Sequence, residues 1–158
     1  MRPPLLPAAA ALILSLGALS CASSSMFQIS QEEERALQAA MDAPLTFVVP
    51  RDRSIETWDR AHVFFDRYST MKLQTVTDSL LLTYETPLYT GDPAPVESGS
   101  GIRYGYSISR SRVPEGIQYV VACTPSSKLA AKDADQNAHI AAAYIRSGTI
   151  PCVRCIVR

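Results

Sequence analysis

The cysteines of this chain are its residues with the clearest chemical potential, and the sharpest short motif is Cys152-Val153-Arg154-Cys155. A redox-active CxxC pair normally sits at the N-terminus of a helix, where the helix dipole lowers the thiol pKa. Here the pair follows the last predicted helix, with no room for another before the printed sequence ends. Ile156 stands where haem attachment requires a histidine. The motif therefore favours a structural disulfide over redox or haem chemistry.

Cys123 is a third candidate for disulfide formation. It falls near the end of a strand-like alternating segment. A bridge from Cys123 to Cys152 or Cys155 would hold the C-terminal tail against the sheet. It would close a loop of about 30 residues and stabilise the fold by about 3–4 kcal/mol in the chain-entropy model. We predict this long-range bridge, with a structural role, and the local Cys152–Cys155 bridge is its rival.

Zinc binding and Cys–His catalysis are weaker interpretations of the same residues. Cys123, His139, Cys152 and Cys155 offer four zinc donors, but structural zinc sites usually show two closely spaced ligand pairs. A Cys–His hydrolase would pair Cys123 with His62 or His139, the only imidazoles of the chain. The sequence contains no glycine-rich phosphate loop, no GxSxG and no HExxH. We therefore predict no catalytic residue, no cofactor and no metal site.

The first 21 residues have the layout of an export signal. Arg2 gives a positive start, residues 8–19 form a largely apolar run, and Ala18-Leu19-Ser20 leads into Cys21. The run is too short to span a bilayer as a stable helix. The segment resembles the signal peptide and lipobox of bacterial lipoproteins, although Ala18 stands where the lipobox usually has leucine.

This resemblance implies that Cys21 is acylated, with palmitate among its acyl groups, and that it becomes the new N-terminus. Ala22 follows it, and the absence of an aspartate there implies the outer membrane, with the protein facing the periplasm. The predicted organisation is a signal peptide at 1–20, a lipidated tether at 21–29 and a single domain at 30–158. The alternatives are an ordinary secretory signal in which Cys21 has no role and a chain that starts at Met26. Both the periplasm and the destination of a secreted protein are oxidising, and an oxidising compartment favours disulfides.

Length and charge limit the partners. Removing residues 1–20 from the 158-residue chain leaves 138 residues, which suits one domain. The 15 basic and 15 acidic residues become 14 and 15, because Arg2 is lost, so the net charge is about −1. A nearly neutral domain has no electrostatic surface for nucleic acid or anionic lipid. Membrane attachment is therefore expected through the N-terminal acyl chains alone.

Two helices and a strand are predicted in the first half. Ser30 and Glu33 form a capping box in front of a helix at about 31–41. A strand is predicted at 45–49. In the helix that begins near residue 54, one face carries the apolar stripe Ile55, Trp58, His62, Phe65 and Ser69. Trp58 and Phe65 are predicted to be buried.

The second half changes to a period of two. Residues 71–84 predict one long or two short strands, and 86–101 predict a long loop rich in proline and glycine. Alternation at 102–108, a Pro114-Glu115-Gly116 turn and residues 117–124 predict an antiparallel hairpin. A final helix runs to Ser147 and is ended by Gly148. Its small-residue face is Ala130, Ala134, Ala138, Ala141 and Ile145.

These elements predict an α+β fold: a two-layer sandwich with a mostly antiparallel sheet, helices packed on one face, and the order α-β-α-β-β-β-α. The predicted function is non-catalytic, through binding or assembly with an envelope protein partner. One alternative is a thiol-dependent enzyme of redox or acyl-transfer type that uses Cys123 or the Cys152/Cys155 pair. The other is a small-ligand module whose pocket is lined by residues such as Trp58, Tyr104 and Tyr106.

Overall fold

A computed structural model describes residues 29–84 and 102–158. Its elements in chain order are α1 (Gln31–Met41), β1 (Thr46–Val49), α2 (Ser54–Tyr68), β2 (Leu73–Val76), β3 (Leu80–Thr83), β4 (Tyr104–Val113), β5 (Gly116–Pro125) and α3 (Ala131–Ser147). Short 3-10 turns lead into α2 and α3. The predicted signal peptide, the lipidation site at Cys21, nearly all of the tether and the predicted loop at 86–101 lie outside the described residues.

The five strands form one antiparallel sheet in the order β1-β5-β4-β3-β2. Helices α2 and α3 pack on the same face of this sheet, and α1 packs against α3. The predicted α+β fold is confirmed. Residues 71–84, for which the sequence allowed one long or two short strands, form two strands joined by a tight turn. The observed order therefore has four consecutive strands where the predicted order has three.

The β4–β5 hairpin and the end of α3 follow the predicted turns. The hairpin pairs Val113 with Gly116, and its register continues without a shift to Tyr104 and Pro125. A side chain at Gly116 would collide with the carbonyl oxygen of Val49, because β1 approaches closely there. Gly148 ends α3 with a left-handed φ of 81° and donates its amide to Tyr144 at 2.7 Å. Glycine adopts this conformation without steric cost.

The core lies between the sheet and helices α2 and α3. Trp58 and Phe65 are buried as predicted, but Ala61 and Phe64 lie deeper, at 0% exposure. Ile55, which the sequence placed on the same stripe, is 73% exposed, so that part of the prediction is wrong. The buried face of α2 is centred on Ala61 and Phe64, and Ile55 lies in the first turn, beyond the aromatic core.

Candidate functional site

Among residues 29–84 and 102–158, no helix packs on the face of the sheet opposite α2 and α3, and the strand residues on that face carry no charge. Alternation along the strands places the side chains of a defined set of residues there, and we call this set the outer face. It consists of Thr46, Val48, Thr75, Leu80, Leu82, Ser107, Ser109, Ser111, Gln118, Val120, Ala122 and Thr124. Because every member is apolar, a hydroxyl or an amide, the outer face has no titratable group.

One row of side chains crosses the centre of the outer face. Val120 pairs with Thr46 on β1 and with Ser109 on β4, and Ser109 pairs with Leu80 on β3. Val48 and Val120 are 45% and 40% exposed. Within residues 29–84 and 102–158, no helix packs over this row. An exposed uncharged surface of this kind can bind another protein through shape and apolar contact, but it offers nothing to acid–base or metal chemistry.

Cys123 points to the opposite, helix-covered side of the sheet. It pairs with Tyr106 in the register, and burial raises the pKa of its thiol to about 12, against the hydrogen bond from Tyr106. The thiol is therefore protonated at neutral pH. His62 meets Trp58 edge-on, and the ring Nδ1 of His139 lies 3.1 Å from the carbonyl oxygen of Ala40. Among the described residues, neither imidazole hydrogen-bonds Cys123.

The disulfide links Cys152 to Cys155, with their Cα atoms 5.3 Å apart, and Cys123 is a free thiol. The predicted bridge from Cys123 is therefore wrong, and the local rival is formed. The reason is the path of the chain: α3 carries it about 25 Å away from the end of β5 before the tail turns back. Two of the four proposed zinc donors are used by this disulfide. Within the described ranges no cluster of three His, Cys, Asp or Glu could hold a metal ion.

Polar side chains of α3 hold the C-terminal tail, which the sequence analysis missed. Asn137, fully buried, donates to the carbonyl of Val157 at 2.8 Å and accepts from its amide at 2.9 Å. Gln136 donates to the carbonyl of Cys155 at 2.7 Å. The signal was present in the sequence, because Asn137 is a polar residue beside an alanine-rich buried face. It therefore needs buried partners.

The three aromatic residues proposed for a ligand pocket are core residues. Trp58, Tyr104 and Tyr106 are no more than 7% exposed. Tyr106 packs edge-on against Phe64, with ring centroids 5.4 Å apart. The Tyr104 hydroxyl donates to Asp133 at 3.2 Å. Burial raises the pKa of both tyrosines, so they remain neutral. These side chains fill the space between sheet and helices and do not line an open pocket there.

The described part of the chain thus combines a packed core, a disulfide in the C-terminal tail and one uncharged sheet face that no described helix covers. None of its helices is long and apolar enough to cross a membrane. Comparison with protein-family models, curated proteins and solved structures finds no match. A functional proposal for this chain therefore rests on the outer face and on the lipoprotein-like N-terminal sequence.

Proposed function

We propose that this protein is a lipid-anchored component of the bacterial cell envelope that acts without catalysis, by docking another envelope protein on its outer face. The single observation that carries the docking is the uncharged row through Val120 and Ser109, in which Val120 is exposed and Ser109 is half-buried. Attachment to the outer membrane, facing the periplasm, follows from the lipoprotein resemblance at Cys21. A neutral surface selects a partner by shape and apolar contact, because it has no charge to complement.

The size of the outer face suits a transient interface. Neighbouring strands lie about 4.8 Å apart, and a ten-residue strand is about 33 Å long. Strands β4 and β5 have ten residues each and the other three strands are shorter, so the area of the outer face is on the order of 500 Å². Two such surfaces together reach about 1,000 Å², the lower limit for a specific complex. Confinement of both partners to one membrane would raise their effective concentration and compensate for a weak interface.

Photo-crosslinking in cells tests the docking. A photoreactive residue is placed at Ser109, in the middle of the outer face, and a matched one at Asp66, exposed on α2. We expect an adduct with a second envelope protein from position 109, its loss when Val120→Glu is added, and none from position 66. The same adducts from both positions, only self-adducts, or adducts that survive Val120→Glu would contradict the proposal.

Acylation is tested separately with the full chain. Metabolic labelling with a palmitate analogue should mark the protein, and Cys21→Ala should abolish both the label and lipid-dependent sedimentation with membranes. Cys123→Ala serves as the control, because a buried protonated thiol is a poor acceptor. A Cys21→Ala protein that stays labelled and membrane-bound would show that the lipobox interpretation is wrong.

A further inference from the structure

A cleft of about 490 Å³ lies on the other side of the sheet, at the hairpin end of its helix-covered face. Its walls are the start of α2, the β2–β3 turn, the end of β4 and the start of β5, with Arg110 and Arg112 among the lining residues. This volume is within the range of small-molecule sites. Arg110 and Arg112 lie on the side of β4 opposite the outer face, because they alternate with Ser109. Of the outer-face residues, Ser111 also lines the cleft.

Arg110 is fixed in position by the fold. Its guanidinium carbon lies 4.3 Å from the centre of the Trp58 ring, and its Nε donates to the carbonyl oxygen of Asp78. Its register partner on β5 is Tyr119, whose hydroxyl donates to the carbonyl of Ser54 at 2.8 Å. A guanidinium held by the Trp58 ring and the Asp78 carbonyl loses little further freedom when it binds an anion.

Arg112 is exposed and has no ion-pair partner within residues 29–84 and 102–158. It lies two residues from Arg110 on the same side of β4, so their Cα atoms are about 7 Å apart. The only acidic residue in the cleft lining is Asp78, and its carboxylate forms no ion pair with either arginine among those same residues. The two arginines therefore leave the cleft with a net positive charge.

We infer that this cleft binds the oxyanion group, a carboxylate or a phosphate, of a small molecule, with Arg110 and Arg112 as its cationic residues. Planar guanidinium groups match the paired oxygens of both anions. Ser54 and Ser79 line the same cleft and offer hydroxyl donors. An anion placed between the two arginines relieves their mutual repulsion, whereas one on the outer face would meet no positive charge.

Trp58 provides the readout, because it is the only tryptophan of the chain and lies under Arg110. Purified protein is titrated with inorganic phosphate and separately with acetate, each against chloride at constant ionic strength. We expect a saturable change in tryptophan fluorescence at millimolar concentration. Saturation with both anions would show that the cleft binds oxyanions in general. Saturation with phosphate alone or acetate alone would show that it binds a phosphate or a carboxylate, respectively. Saturation with neither overturns the inference.

Two matched variants localise the effect. Arg112→Gln should weaken binding at least tenfold, because it removes the free guanidinium without touching the core. Arg67→Gln, an equally exposed change in the last turn of α2, should leave binding unchanged. Binding by Arg112→Gln with wild-type affinity, or equal weakening in both variants, would overturn the site. Crosslinking from position 109 is unaffected in either case, so this test is independent of the docking proposal.

Discussion

The two faces of the sheet differ in chemistry, although alternate residues of the same strands form them. On the inner face, Tyr119 and Val121 are buried at 0% and 2% exposure beneath the helices. On the outer face, Val120 between them is 40% exposed. The inner face stabilises the fold, because its side chains form the core. The outer face contributes little to the core, which leaves its composition free to serve a partner.

Charge separates the faces further. The inner face ends in a pair of arginines, Arg110 and Arg112, beside the first turn of α2. The outer face has no charged residue along the same strands. One sheet thus supports two different kinds of recognition: a neutral surface suited to a protein and a cationic cleft suited to a small anion.

The largest effect is expected in the centre of the inner face. Phe64→Ala removes a fully buried ring that contacts Tyr106 and Tyr144, so it should lower the free energy of unfolding by about 3–5 kcal/mol. Urea denaturation with a constant m-value measures this loss. Asp66→Ala, an exposed change on the same helix, should cost less than about 0.5 kcal/mol. Similar losses in both variants would mean that the buried face of α2 is misplaced.

A pair of neighbouring thiols compares the faces by reactivity. Cys123 on the inner face should resist alkylation at pH 8, whereas Ala122→Cys places an exposed thiol on the outer face. Because a pKa near 12 against an ordinary 9.0 leaves far less thiolate, we expect Cys123 to react roughly 100- to 1,000-fold more slowly. Mass spectrometry of iodoacetamide adducts gives both rates. Fast labelling of Cys123 in the folded protein would instead support a thiol-dependent activity.

The same thiol makes stability depend on pH in the alkaline range. Its pKa is raised in the folded state, so the unfolded state ionises first as the pH rises. The free energy of unfolding should hold below about pH 9 and fall between pH 9.0 and about pH 12. Cys123→Ala should lose less stability over this interval. Identical pH profiles for the two proteins would contradict the buried, protonated thiol.

A polar contact of the helical layer should have an intermediate effect. Asn137→Ala removes both hydrogen bonds to Val157 and leaves its part-buried amide and carbonyl groups without this partner, at a cost of about 1–3 kcal/mol. Hydrogen exchange of the Val157 amide should accelerate at the same time, because the tail is released. Lys132→Ala on the exposed side of α3 is the control and should change neither quantity. A slow Val157 amide in Asn137→Ala would show that the tail is held by other contacts.

The sequence was sufficient for features that depend on neighbours along the chain. The capping box of Ser30 and Glu33 is formed, with the Glu33 amide 3.1 Å from the Ser30 hydroxyl oxygen. Alternation predicted the β4–β5 hairpin, and the small residues of α3 from Ala134 to Ile145 are buried as predicted. Each of these follows from a local period or a local hydrogen bond, which the order of residues determines directly.

Features that depend on the path of the chain were not predictable in this way. The disulfide partner of Cys152 depends on where the tail turns after α3, and the sequence left two possibilities. The orientation of α2 depends on which of its residues meet the sheet. The predicted apolar stripe extended to Ile55 in the first turn, which is exposed. The Arg110–Arg112 cleft was missed altogether, because it forms only where β4, the β2–β3 turn and the start of α2 come together.

The smallest effect, and the most direct comparison of the faces, comes from two adjacent valines. Val120→Thr and Val121→Thr make the same change in shape and polarity at neighbouring positions of β5. Val121→Thr buries a hydroxyl in the core and should cost about 1–3 kcal/mol. Val120→Thr leaves its hydroxyl in water and should change the free energy of unfolding by less than about 0.5 kcal/mol. Urea denaturation of both variants gives the two values. A loss at Val120 as large as that at Val121 would show that the outer face is covered in the full-length protein, and therefore not free to dock a partner.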